Sequence, residues 1–331
     1  MKYFLGIDQG GTKTQAALAD QEGHILGSGL AGGACHSTHG MARAMQAVED
    51  AARQASRQAG VPLDKLELIA GGLTGIDWPE ETDLLKDALH KLFQVPRERV
   101  HLVNDCIIAM RAATSAVAGA VLCAGTGLNC AVRDGRGGEY IYGFYIAEED
   151  QGGMALGRRA LQAVYDAGSG VGAPTALTAM ILGLTGQKDT DALLRLQVTG
   201  GLRGSVIAEI PRLIEKAALS GDEISTGILR RFGRNAARYV TAGLERFGLQ
   251  NRDVEVVLSG SVFKCEAPML LDTIRESILA AAPRARVLES EFEPIVGALL
   301  LGLDHLNGGE AESISSHIKR DAQRFHMIRM S

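Results

Sequence analysis

The sequence predicts an α/β protein built from two similar lobes, and three observations carry that prediction. Strand-like and helix-like patterns alternate along the chain. A short apolar strand, a turn of Gly and Thr, and a second strand occur twice, from Leu5 to Asp20 and from Val121 to Val132. At 331 residues with 46% hydrophobic content, the chain is long and apolar enough for two cores with a cleft between them.

Taken in order, apolar and alternating runs predict strands over about 3–8, 14–20 and 24–31, then a helix over about 39–59. A strand at Leu66–Ala70, a loop from Gly71 to Asp77, a helix over about 80–93 and a strand at Val100–Val103 complete a β-β-β-α-β-α-β order. The second half restarts with a hairpin near 119–133 and a strand near 139–146. A helix-rich stretch over about 151–249, a strand at Val254–Leu258 and closing helices follow. The repeated format implies a duplicated half. Residues 1–117 with a returning helix at 294–307 form an expected N-terminal lobe, 118–293 a C-terminal lobe with a helical insertion, and 308–331 a polar extension.

Composition excludes several function classes. The net charge of −5 and the absence of any Lys/Arg run longer than a pair argue against nucleic acid, and Arg230, Arg231 and Arg234 read as a solvated helix face. Five scattered cysteines without a CxxC pair argue against a disulfide framework or a zinc ribbon. No apolar run is long enough to cross a bilayer and Asp8 comes too early for a signal peptide, so a cytoplasmic protein is expected.

The two hairpins suit phosphate, because glycine lets backbone N–H groups approach closely beside Thr hydroxyls. Gly10, Gly11, Thr12 and Lys13 form the first turn, and Gly125, Thr126 and Gly127 the second. Neither is a Walker A loop: the first lacks the upstream Gly and four-residue spacer and runs into a strand rather than a helix. Two ordinary glycine turns are the plainer alternative. Asp8 ends a strand just before the first turn, where a carboxylate suits Mg²⁺ through water, or else simply caps the strand end. Asn104 and Asp105 follow the strand at 100–103 and open a helix, which capping alone explains. The same placement puts Asp105 at a strand's carboxyl end, facing the expected cleft, as a general base for an attacking hydroxyl. Ser259, Gly260 and Ser261 form a further turn suited to the adenosine end of a nucleotide or to a plain strand-to-helix connection. Glu148, Glu149, Asp150 and Gln151 read either as helix-dipole capping or as a polar wall for sugar hydroxyls. His36 and His39 lack metal-ligand spacing and are read as a loop.

At these residues the chain resembles the superfamily of sugar kinases, actin and heat-shock chaperones, and within it the BadF/BadG/BcrA/BcrD-type ATPase family that includes N-acetylglucosamine kinase. The likeness spans nearly all of residues 1–306. The phosphate motifs fall on Asp8–Thr14 and Gly125–Asn129, the connecting acid on Asp105, the adenosine motif on Leu258–Ser261, and the closing segment on Pro294–Ala298. The resemblance implies two lobes of a duplicated ribonuclease H-like, actin-like ATPase fold, with ATP and Mg²⁺ as cofactors. It also implies a small-molecule sugar as substrate and a homodimer as the assembly. Thr74, Gly75, Asn104, Asn129 and Asp150 would then approach the sugar, with Asp105 on the acceptor hydroxyl. Members that phosphorylate N-acetylglucosamine carry an Asn in the loop that reads Cys35–His39 here, and Gly-Asp-Glu-Gly where this chain has Glu149-Asp150-Gln151-Gly152. The expected activity is an ATP-dependent kinase for a hexose, an amino sugar such as N-acetylglucosamine or glucosamine. The family's other branch offers an alternative, an iron–sulfur ATPase activating a 2-hydroxyacyl-CoA dehydratase or benzoyl-CoA reductase. A third reading is a non-catalytic sensor that binds ATP or a sugar.

Overall fold

The computed structural model describes residues 1–307 and 312–328. It divides into two compact units, one of residues 1–117 and 288–331, the other of residues 118–287. In the first unit, strands β1 (Tyr3–Gln9), β2 (Lys13–Asp20), β3 (Ile25–Gly32), β4 (Leu66–Leu73) and β5 (Val100–Asn104) form a sheet in the order β3-β2-β1-β4-β5. β1, β2 and β3 pair antiparallel, with Leu5 opposite Leu18, while β4 and β5 continue the sheet parallel to β1.

Because successive strand residues face opposite sides, β1 is buried on both. Leu5 and Ile7 meet Leu18, Ile69 and the apolar faces of helices Met41–Ala59 and Pro79–Phe93. Phe4 meets Ala17, Leu68 and the helix Pro294–Leu306, which is buried along most of its length in this same unit.

The second unit repeats the plan. Strands β6 (Ala118–Ala124), β7 (Leu128–Asp134), β8 (Glu139–Ile141), β9 (Val254–Ser259) and β10 (Ala285–Glu289) lie in the order β10-β9-β6-β7-β8, the first sheet's order strand for strand. Six helices between Gly152 and Arg246 form the insertion, and a further helix, Pro268–Ala281, precedes β10. Leu122, Leu128, Leu156, Leu161, Phe232 and Val240 belong to its large core.

The α/β class and the duplicated sheet agree with the sequence. Several boundaries differ. β4 runs on through Gly71 and Gly72, since bare backbone is needed where a Cβ on Gly72 would lie 2.4 Å from Ile108 Cγ1. The expected strand near 139–146 shortens to β8 and a 3-10 turn at Gly143–Tyr145. β10 has no counterpart in the sequence reading; it is a short edge strand in which Ala285 alone is buried, tied to β9 by the Arg286–Glu255 ion pair. Of the expected polar extension, residues 308–311 and 329–331 lie outside the described residues. The rest holds an amphipathic helix, Glu312–Arg324, whose Ile318 and Ala322 are buried, as is Met327 beyond it, in the core around the Pro294–Leu306 helix. Asp321 accepts a hydrogen bond from Ile25 N at 3.1 Å, and the His24 and His317 rings stack at 4.4 Å.

Candidate active site

The first unit gathers carboxylates at one edge of its sheet. Register places Asp8 opposite Gly72, and Leu73 opposite Asn104, so Asp8 and Asp105 stand at the carboxyl ends of β1 and β5 with only β4 between them. That is two strand spacings, about 10 Å of backbone separation, at the edge where α/β sheets take their ligands. Asp105 is the first residue of the helix Asp105–Ala113, capped by the Asn104 side chain, which accepts from Cys106 N at 3.0 Å. The Asn104 amide donates in turn to Ile76 O at 2.9 Å and to Asp77 Oδ1 at 3.4 Å. Asn104 is thus a buried internal brace between the two segments.

Burial pushes the Asp105 carboxyl up from 3.8 to about 7, with the nearby Asp8 and Asp77 charges adding to it. Burial likewise lifts Asp8 to about 6, opposed by Lys13 and reinforced by Glu293. Asp77 rises to about 6 through burial and the Glu81 charge. Lys13 Nζ lies 3.1 Å from Glu293 Oε2, and Glu293 is anchored through its N–H to Met327 O at 2.8 Å. The Gly10–Lys13 turn is closed by a 2.9 Å bond from Gly10 N to Lys13 O, leaving Gly11 and Thr12 exposed at its tip. Thr74 N donates to Gln9 O at 2.8 Å, so Thr74 and Gly75 continue the same edge.

Among the described residues no three His, Cys, Asp or Glu side chains converge as a metal-ligand set. Mg²⁺ does not need one: it is commonly held by one or two carboxylates, waters and phosphate oxygens. A buried Asp8 beside other acids fits that mode, because a cation there relieves the repulsion that raises its pKa.

The second unit carries the other hairpin. Gly125 N donates to Gly127 O at 2.9 Å, and the helix Gly152–Ser169 spends its first N–H groups on the same turn: Gly153 N bonds Gly125 O at 2.8 Å and Met154 N bonds Thr126 O at 3.1 Å. Only glycine fits at 152, where φ is +50° and a Cβ would lie 2.2 Å from Gly127 O. The Gln151 amide clamps the base of the turn, accepting from Leu128 N and donating to Ile146 O, each at 3.2 Å. Ser259, Gly260 and Ser261 come to the same place: Gly260 has φ +108° with a Cβ position 2.3 Å from Ala124 O, and Ser261 Oγ is 3.9 Å from a Cβ built on Gly125. Asn129 Oδ1 accepts from Cys130 N and Gly143 N, pinning the turn after β8.

Asp150 is buried and turned into the helix Glu223–Arg246. Its carboxylate accepts from Asn235 Nδ2 at 2.7 Å and Tyr239 OH at 3.2 Å, with Arg238 at 3.4 Å. Neither reading of the Glu148–Gln151 segment anticipated this, because its partners lie more than eighty positions away. Asp77 and Glu293 are the site residues without an expected role; only Asp77 carries a local signal, as an acid just before the helix Pro79–Phe93.

Residues 5–302 match the BadF/BadG/BcrA/BcrD ATPase family. The chain is 23% identical to the N-acetylmuramic acid/N-acetylglucosamine kinase of Clostridium acetobutylicum, over 91% of this chain and 98% of that one. It is 27% identical to a glucosamine kinase of Vibrio cholerae, over 77% and 86%. Its fold matches a Chromobacterium violaceum structure described as a candidate N-acetylglucosamine kinase, with a TM-score of 0.70 and 23% identity over 91% of this chain and 99% of that one. No helix among the described residues is long and apolar enough to cross a membrane. With the family match spanning both hairpins, both sheets and the returning helix, the chain belongs to the BadF/BadG/BcrA/BcrD ATPase family.

Proposed function

We propose that this protein is an ATP-dependent kinase that transfers the γ-phosphate to a hydroxyl of an amino sugar, N-acetylglucosamine or glucosamine. The observation that carries the reading is the buried Asp105, lifted to about 7 at the edge it shares with Asp8, in a chain whose relatives are amino-sugar kinases. A base with that pKa is half ionised near neutral pH and holds a proton well once it has taken one.

In the reaction the acceptor hydroxyl oxygen forms a bond to the γ-phosphorus, the bond from that phosphorus to the β-γ bridging oxygen breaks, and the hydroxyl proton passes to Asp105. Asn104 fixes the Asp105 helix from inside, and burial, with the Asp8 and Asp77 charges adding to it, keeps the base's pKa high. The exposed turns Gly10–Lys13 and Gly125–Gly127 offer backbone N–H groups and Thr hydroxyls to phosphate oxygens, and Ser259–Ser261 receives the adenosine side. Asp8 would hold Mg²⁺, which would supply neutralisation of phosphate charge. Thr74, Gly75 and Asn129 are the sugar-side residues of this reading, with Asn104 and Asp150 supporting them from within. A homodimer in the cytoplasm completes the proposal.

The Asn-Asp-Lys-Cys sequence that leads into the iron–sulfur segment of the activator branch is absent ahead of Cys123-Ala124-Gly125-Thr126-Gly127, and Cys123 and Cys130 lie on β6 and β7 beside the second turn. Kinase activity is tested by ADP release from Mg-ATP over a panel of hexoses, amino sugars and N-acetylated amino sugars, alongside light scattering for the assembly. Turnover confined to amino sugars supports the reading; a panel with no sugar above background overturns it.

A further inference from the structure

Away from the phosphate turns, a cavity of about 640 Å³ opens within the second unit, between the helices Gly152–Ser169 and Glu223–Arg246. It exists because small residues face one another there: Ala155 and Ala163 on one helix, Gly227 on the other, with Ile228 completing an apolar floor. Its walls carry Arg158, Arg159 and Arg231. Elsewhere the chain pairs many of its arginines with acids, as at Arg97, Arg99, Arg111 and Arg284. Here Arg158 stays with Glu148, donating to its carbonyl at 3.4 Å and lying 3.8 Å from its carboxylate, while the Arg159 and Arg231 guanidinium groups make no ion pair or hydrogen bond among the described residues. Glu149, Arg159 and Arg231 also line a small recess that continues to Asp150 and Asn235.

The chemistry of the walls is mixed. Two unengaged guanidinium forks suit an anionic group bound through parallel N–H bonds. Glu148, Glu149, Glu223 and Asp166, which already accepts from Gln162 Nε2 at 2.8 Å, accept hydrogen bonds from hydroxyls, and the apolar floor suits the C–H face of a sugar ring. The volume lies within the roughly 300–1,000 Å³ of small-molecule sites. A bare anion would meet the carboxylates with nothing to offer them, and a neutral sugar would leave the guanidinium groups unused.

We propose that this cavity binds an anionic carbohydrate, a sugar ring bearing a phosphate or a carboxylate, at a site distinct from the phosphate turns. Occupancy bears on the Asp150 network through the shared recess, which makes the site suited to sensing a charged sugar while another is processed. The proposal does not depend on turnover, and its outcome is told apart from that of the kinase reading by substitutions confined to the cavity lining, which leave the phosphate turns in place.

The test is calorimetric titration of the full chain with glucosamine 6-phosphate, N-acetylmuramic acid, N-acetylglucosamine and inorganic phosphate. Two variants accompany it: the double substitution Arg159→Gln/Arg231→Gln, and Gly227→Leu, which fills the cavity from a helix position where an added Cβ meets nothing within 4 Å. At least one of the two anionic sugars binds, at least about tenfold more tightly than inorganic phosphate, as expected of a guanidinium–anion pair supported by hydroxyl contacts. Which one binds identifies phosphate or carboxylate as the anion. Both variants weaken that binding at least about tenfold, as expected when those contacts are removed or blocked, with ATP binding unchanged. The proposal is overturned if neither anionic sugar binds, if inorganic phosphate binds as tightly as they do, or if both variants retain wild-type affinity.

Discussion

If Asp105 is the base, its raised pKa must appear in the pH dependence of catalysis. With the carboxyl at about 7, the ionised fraction is about 9% at pH 6 and about 91% at pH 8, so kcat/KM falls about tenfold between them. A carboxyl at the ordinary 3.8 would stay more than about 99% ionised at pH 6 and give a flat profile over the same range. The assay is kcat/KM for the sugar, with ATP also below saturation so that the free enzyme's ionisations are reported, from pH 5 to 9. Asp77→Asn serves as the internal control. Its charge is one of the causes holding Asp105 high, so its removal moves the acid limb to lower pH without abolishing turnover. A profile flat down to pH 5.5 would refute the assignment.

The same carboxyls bear on stability. Asp8, Asp77 and Asp105 ionise at about 6, 6 and 7 in the folded chain against 3.8 in an ordinary environment. The native state therefore holds more protons than the unfolded chain between about pH 4 and 7, and stability of the ligand-free protein falls as pH rises through that window. Asp105→Asn accordingly melts at a higher temperature than wild type at pH 8 and by a much smaller margin at pH 4.5, by calorimetry; equal melting points at pH 8 would contradict the burial argument. Gly152→Ala places a Cβ against the Gly127 carbonyl, forcing the second turn open, with an expected weakening of ATP binding of about tenfold or more for a displaced set of phosphate donors, read by titration with ATP. Truncation after Asn307 removes the buried Ile318 and Met327, each worth roughly 1.5–3 kcal/mol of burial, and frees Glu293 from Met327; a clear drop in melting temperature is expected, and an unchanged one would show that the terminal helix adds nothing.

What was legible in the sequence was what local chemistry dictates. The Gly-Thr turns at 10–13 and 125–127 advertise themselves because close backbone approach needs glycine, and the periodicity of the flanking runs marks their strands. The acids at 8 and 105 are readable as strand-end residues for the same reason. Tertiary facts were not legible. β10 is an edge strand half exposed to solvent, so its alternation is weak. Glu293 meets Lys13 across 280 positions, a pairing that no spacing rule contains. Asp150 lies in a run of acids that suggests solvent or substrate, yet Asn235 and Tyr239 enclose it, and Asn104 spends both ends of its amide inside the fold. The terminal helix reads as polar because its exposed face outnumbers the Ile318 and Ala322 stripe that it buries.

The central claim is phosphoryl transfer to an amino sugar with Asp105 as base, and phosphorus NMR of the reaction mixture tests it most directly. Wild-type protein with Mg-ATP and glucosamine or N-acetylglucosamine should convert the ATP γ-phosphate into a sugar phosphomonoester, while Asp105→Asn still binds ATP and forms product about 10²–10⁴ times more slowly. Release of inorganic phosphate without sugar phosphate, or an Asp105→Asn protein as fast as wild type, would contradict the account.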